Sequence, residues 1–465
     1  MSPSPDYELG LTTQSREIDV ETLPVSGRIP AWLGGTLLRN GPARFEVGSE
    51  RYRHWFDGLA MIHRFTIGNG AVSYANRFLR TPAYVEAERT GRIVSPEFAT
   101  QPHLSPLGRL RALVRRPEVT NANVNIVPFA DYFLALTEAP YPVAFDGRTL
   151  QTKGVRYYDD LVAGQTLTAH TIYDRARHAT FNVVTELGFS SSYKFVRIEN
   201  GKMRRTVIST VKVDQPAYLH AFSATESSLI LAEYPFVVRP LDLVIGDKPF
   251  IENYRWEPAR GTRFHVVRKD GGTYAGSFSA AAIFAFHHIN AYDEGGTIVV
   301  DIAAYDDAAI VHDFLLERMR SSNGGITRAS FRRYRLVPGE PEARIETIAA
   351  EATELPRIAN SCIGRPYRFA YGVDVQNGIY DRLVKVDTKT RAVTSWSEPG
   401  FYVGEPVFVA RPDAPDEDDG VVLCVALDGT AQHSDLLILD ARTMQELARA
   451  AVPQPIPFGF HGMFR

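Results

Sequence analysis

The sequence predicts an all-β chain, folded as one closed architecture across 1–465 rather than as a string of modules. Short apolar or alternating runs, separated by tight turns, recur along nearly the whole length. No shift in composition marks a boundary between units. An all-β chain of 465 residues must also hide its strand edges. A β-propeller does so by radial repetition, and stacked sandwiches are the alternative; no WD or kelch signature decides between them.

The polar, acidic opening MSPSPDYELG has no pattern of a strand or a signal peptide, so 1–17 reads as a flexible or peripheral arm. Hairpin turns are then predicted at Asn69 (FTIGNGAVSY), Asp146 (VAFDGRTLQ), Asp174 (TIYDRARHATF) and Asn200 (RIENGKM). Others are predicted at Asp270 (VVRKDGGTY), Asp293 (NAYDEGGTIVV), Asp387 (VKVDTKTRAV) and Asp440 (LILDARTMQEL). Glycine and asparagine tolerate the positive φ that such turns demand. Two segments break the pattern. Residues 107–116, LGRLRALVRR, form a short basic amphipathic stretch, and 306–322 place Ile310, Val311, Phe314, Leu315 and Met319 at helical spacing. The acidic run 412–420 reads as a solvated loop.

A net charge of −3 gives no basic footprint for nucleic acid, so no nucleic-acid partner is expected. The two cysteines, Cys362 and Cys424, have the apolar flanks of core thiols in a reducing compartment. No run of about 18 apolar residues occurs, and the chain reads as cytoplasmic, touching a membrane from one side at most.

Metal chemistry has no local signature here: HExxH, HxH and CxxC are absent. Any metal site must be assembled from distant strands. His170, His220, the pair His287/His288 and His461 have apolar or small neighbours, where an imidazole needs a hydrogen bond or a metal. A core histidine bonded to a backbone carbonyl is the plainer reading of each alone. The gaps between them are roughly one, one and three blade lengths, a weak hint of convergence on one axis. On a strand, only one of His287 and His288 can face a given point.

The ordered set of segments is more specific. The chain shows 38-LRNGPARF, 54-HWFDGLAMIHRF, the four histidine segments, 353-TELPRIAN, 367-YRFAYG, 404-GEPVFVARP and 457-PFGFHGMF. In this it resembles the carotenoid cleavage oxygenases along almost its entire length. The resemblance implies a seven-bladed β-propeller under a helical dome, with one Fe(II) per chain held by His170, His220, His287 and His461. Glu138, Glu354 and Glu405 match the family's carboxylates behind those ligands, His170 being the ligand without one, and Glu354 is expected behind His287. His288 should point away into packing or a hydrogen bond.

The activity implied is O2-dependent scission of one C=C bond of a carotenoid or apocarotenoid to two carbonyl products, such as retinal or an apocarotenal. A hydrophobic polyene is the expected partner, with membrane contact through 107–116 and 234–245, where Phe236, Val237, Leu241, Leu243, Val244 and Ile245 could enter lipid. Thr137 stands where lignostilbene-cleaving members carry a lysine for a phenolic hydroxyl. With Val124 and FHHINAYDEGG, it aligns the chain with the β-carotene oxygenase and retinal pigment epithelium isomerohydrolase branch, as a microbial member. A stilbene-cleaving relative, a non-catalytic propeller scaffold and a metal-dependent lactonase are the competing readings.

Overall fold

A computed structural model describes residues 6–102, 121–245, 247–321, 324–351 and 353–465. Local turn chemistry builds it. At the first hairpin Asn69 (φ 51°) and Gly70 (φ 74°) adopt the left-handed conformation that joins Leu59–Gly68 to Ala71–Phe78. Each of the other predicted turns also lies between two antiparallel strands.

Among the described residues, seven sheets of four or more strands form the blades of a β-propeller. The innermost strands Ser223–Ala224, His288–Glu294, Glu354–Ile358, Val407–Ala410, Gly462–Phe464 and Asn125–Phe129 lie side by side in turn around the axis. The ring closes twice. Val25–Gly27 pairs with Glu446–Val452 in one blade, and Gly35–Arg44 pairs with Gly462–Phe464 in the next. At the second closure Gly41 of LRNGP meets Gly459 of FGFHG so closely that a Cβ on Gly41 would lie 2.4 Å from the Gly459 Cα.

Loops and short helices cap one end. HWFDG forms a tight 3-10 turn, Trp55–Asp57, in which the His54 N–H donates to Asp57 Oδ2 and Trp55 Nε1 donates to the Phe458 carbonyl (2.9 Å). Part of the cap corrects the expected single helix over 306–322. It is two short helices, Ala309–Asp313 and Leu316–Met319, broken where Leu315 turns extended (φ −64°, ψ 127°). The backbone there bonds to the HWFDG segment instead, Trp55 N to Phe314 O and Leu316 N to Arg53 O. Tertiary pairing overrides a good helical pattern.

The described part of the opening arm packs against the propeller: Asp6–Leu11 is a 3-10 helix with Tyr7 and Leu11 buried in the main core, and Gln14 Nε2 donates to the Pro455 carbonyl. Burying two large apolar side chains outweighs the polar composition of the segment. The acidic run is likewise knitted to its neighbours: Glu417 accepts the Arg368 and Phe369 N–H groups, and Lys385 donates to Asp418. The basic stretch 107–116 lies outside the described residues. No helix among the described residues is long and apolar enough to cross a membrane.

Candidate metal centre

The inner strands lie side by side, so residues just before their starts can meet near the axis. His220 lies just before Ser223–Ala224, His287 directly before His288–Glu294, and His461 directly before Gly462–Phe464. His170 falls between Thr166–Leu167 and Ile172–Asp174. The four histidines come together, each offering a ring nitrogen within 4.8 Å of the others. Nε2 of His170 and His220 are 3.1 Å apart, as are Nε2 of His287 and His461.

Carboxylates stand behind three of them. Nδ1 of His220 contacts Glu138 Oε1 at 2.6 Å, Nδ1 of His461 contacts Glu405 Oε1 at 2.7 Å, and Nδ1 of His287 contacts Glu354 Oε2. Among the described residues no carboxylate pairs with His170. A carboxylate acceptor fixes the proton on Nδ1 and leaves Nε2 as a bare lone pair. Two such lone pairs, on His287 and His461, cannot hydrogen-bond to each other across 3.1 Å, so the arrangement suits a cation between them. Four imidazoles, which favour iron, copper, nickel or zinc, could hold a metal ion here. Burial favours the neutral, ligating form of His170, His220 and His461: His170 lies well below the ordinary histidine range, His220 is lowered, and His461 is lowered to about 3.

His288 leaves the other face of the strand. Its Nε2 lies 2.9 Å from the Tyr234 hydroxyl and its Nδ1 contacts Ser223 Oγ. Only His287 of the pair belongs to the cluster.

Other residues of the site had no local signal. Tyr218 donates its hydroxyl to Glu138 Oε1 (2.6 Å), while Arg39 and Arg357 both engage Glu405. Aromatic rings wall the metal-facing side: Phe56 stacks toward His220 at 6.2 Å, and Phe286 meets it edge-on at 5.2 Å. A phenylalanine immediately before a histidine, in both 286-FHH and 460-FHG, was the available clue.

Phe56 and Val124 line two neighbouring spaces. One, of about 20 Å³, lies against His220, His287 and His461 and holds roughly one water-sized molecule. The other, of about 1050 Å³, runs past Thr137 and Glu138 to a mouth at Phe189, Leu241 and Val244. Of the 234–245 segment, Leu241 and Val244 are exposed, but Phe236 and Val237 are buried. The expectation that the latter pair enters lipid is therefore corrected: their strand pairs with Arg255–Trp256 and packs inward.

The family model for the Retinal pigment epithelial membrane protein (RPE65) matches residues 11–465. The chain belongs to this family, the carotenoid cleavage oxygenases. It is 32% identical to the mitochondrial carotenoid-cleaving dioxygenase of Macaca fascicularis, covering 95% of this chain and 91% of that protein. The β,β-carotene 15,15'-dioxygenase of Gallus gallus is 31% identical, covering 95% and 94%, and the carotenoid isomerooxygenase of Galleria mellonella 33%, covering 99% and 97%. Among solved structures, a variant of the Synechocystis apocarotenoid oxygenase superposes with a TM-score of 0.88 at 28% identity, covering 99% of this chain and 98% of that one. A cobalt-substituted form of that oxygenase gives 0.87 at 27%, with the same coverage. Family members thus share the whole propeller with this chain rather than a fragment of it.

Proposed function

We propose that the protein is a non-haem Fe(II)-dependent oxygenase that cleaves one C=C bond of a carotenoid or apocarotenoid with O2, giving two carbonyl products. One observation carries this reading: four histidine ring nitrogens converge beside a one-molecule space that shares Phe56 and Val124 with a large, mostly apolar cavity. Iron held by His170, His220, His287 and His461 would supply the activation of O2 beside the alkene.

The chain's own residues bind and orient. The cavity aligns an extended polyene so that one double bond reaches Phe56 and Val124, which line both spaces. The aromatic wall of Phe56, Phe286 and Phe460 keeps water from that point. Glu138 in the cavity wall serves as a support for the site, its Oε1 accepting from Tyr218 and His220. Thr137 in the cavity wall favours a hydrocarbon-like polyene over a phenolic stilbene. The exposed Phe189, Leu241 and Val244 at the mouth suit withdrawal of such a substrate from a membrane touched from one side.

The test is protein purified without O2, loaded with Fe(II), and given β-carotene or an apocarotenal with and without O2. Aldehyde products that need both iron and O2 are expected. Failure to release an aldehyde from any polyene tested would end the proposal.

A further inference from the structure

The three carboxylates behind the histidines are not equivalent. Besides its histidine, Glu138 accepts from the Tyr218 hydroxyl, and Glu354 accepts from the Leu355 N–H. Among the described residues neither pairs with an arginine or lysine. Glu405 sits between two guanidinium groups. Arg39 Nη1 donates to its Oε2, and Arg357 Nε donates to its Oε1 at 2.8 Å. The Gly462 N–H adds a donor to Oε2 at 2.9 Å, while His461 Nδ1 shares Oε1.

Each arginine has a second anchor. Arg39 Nη2 donates to the Phe460 carbonyl (2.8 Å) and Arg357 Nη2 to the Gly462 carbonyl (2.5 Å). These carbonyls flank His461 on either side, so ring and backbone are held by one cluster. Its formal charge is opposite to that behind the other histidines. Two guanidiniums and one carboxylate leave one net positive charge behind His461, against one negative charge behind His220 and one behind His287. Glu405 and Arg39 are buried, where charge is poorly screened.

We propose that Arg39 and Arg357 are positioning residues that fix His461 and tune its donor strength, biasing the bound metal toward its lower oxidation state. This rests on the reading of the four histidines as an iron centre. A carboxylate accepting an imidazole N–H makes the ring a stronger donor, and that donation stabilises the more highly charged ion. Neutralising Glu405 removes the effect at His461 alone, and the surplus positive charge acts in the same direction.

Arg357 is the residue to change, since its side chain is 29% exposed and its loss opens no closed cavity. Arg357→Met removes the charge and keeps the length; Arg357→Lys keeps the charge and loses the fork. On Fe(II)-loaded holoenzyme, iron content is measured and the one-electron ferric/ferrous midpoint is followed in a mediated titration without O2. R357M is expected to retain iron while its midpoint moves negative by about 59 mV, a tenfold gain in the ferric-to-ferrous ratio at fixed potential. Arg357→Gln, a second neutral variant should R357M fold poorly, shifts the same way, and R357K recovers most of the shift. An unmoved midpoint in the neutral variants, or an equal shift in R357M and R357K, would overturn the tuning role while leaving the iron reading intact. Wild-type protein that takes up no iron would overturn both.

Discussion

Nε2 of His287 lies 3.1 Å from Nε2 of His461, and each ring directs its Nδ1 at a buried glutamate. Two inward lone pairs at that distance define where a cation belongs. Removing either one should be felt first at a bound metal, and also at the buried glutamate left without its ring partner. His287→Ala is therefore expected to lose iron and activity, while His288→Ala keeps its iron. The second variant leaves Tyr234 and Ser223 short of a partner, at about 1–3 kcal/mol of stability. Iron content and thermal unfolding of the two variants side by side check this; the reverse pattern would mean that the strand presents its other face.

Tyr218 steadies the carboxylate behind His220. Losing the hydroxyl in Tyr218→Phe should weaken iron affinity on the order of tenfold, as for other partners of metal-binding histidines. The fold should stay intact, because the ring still packs against Phe284 and Phe286. Competition for Fe(II) with a calibrated chelator measures the effect, and unaltered affinity would count against the role.

Acid should destabilise the protein through a buried histidine outside the four-histidine cluster. His63 is buried against the Tyr74 hydroxyl, and burial lowers it from 6.5 to about 3. Above pH 6.5 neither the folded nor the unfolded chain protonates it, and its contribution is fully present. As pH falls from 6.5 toward 3 only the unfolded chain takes the proton, so stability is lost at about 1.4 kcal/mol per pH unit. His63→Gln should flatten the stability curve between pH 7 and 5 by ~2 kcal/mol. Denaturant midpoints of both proteins at the two pH values read it directly.

At the cavity mouth Phe189 is almost wholly exposed. Phe189→Glu, alone or with Leu241→Glu, should slow cleavage of a polyene supplied in vesicles and spare the same polyene in detergent micelles. Rates from both sources are compared in one assay; equal slowing in both would show a defect inside the cavity instead of at a membrane.

Much of the fold could be read from the chain because its information is local. Asn69–Gly70 dictates a turn whatever surrounds it, and the other hairpins follow the same rule. The helical spacing over 306–322 gives way at Leu315 because the backbone there answers to Arg53, His54 and Trp55, more than 250 residues away. The four histidines were legible through the ordered family segments, whereas their spacing alone left a carbonyl-bonded core histidine the plainer reading of each. Arg39, Arg357 and Tyr218 were not legible. Their role arises where separate inner strands converge, and nothing in the flanking sequence encodes that meeting.

The double closure of the ring has a consequence for how the protein comes into being. Arg39 pairs across the sheet with Gly462, next to His461, so His461 takes its place only with the closing strand of the propeller. A growing chain on the ribosome can present His170, His220 and His287 long before the fourth histidine is made, since His461 follows His287 by 174 residues. Capture of a metal by all four histidines must then wait for synthesis of the closing strand. A nascent chain stalled before that point would carry an open ring, and metal occupancy would serve as a certificate that the circle had been completed.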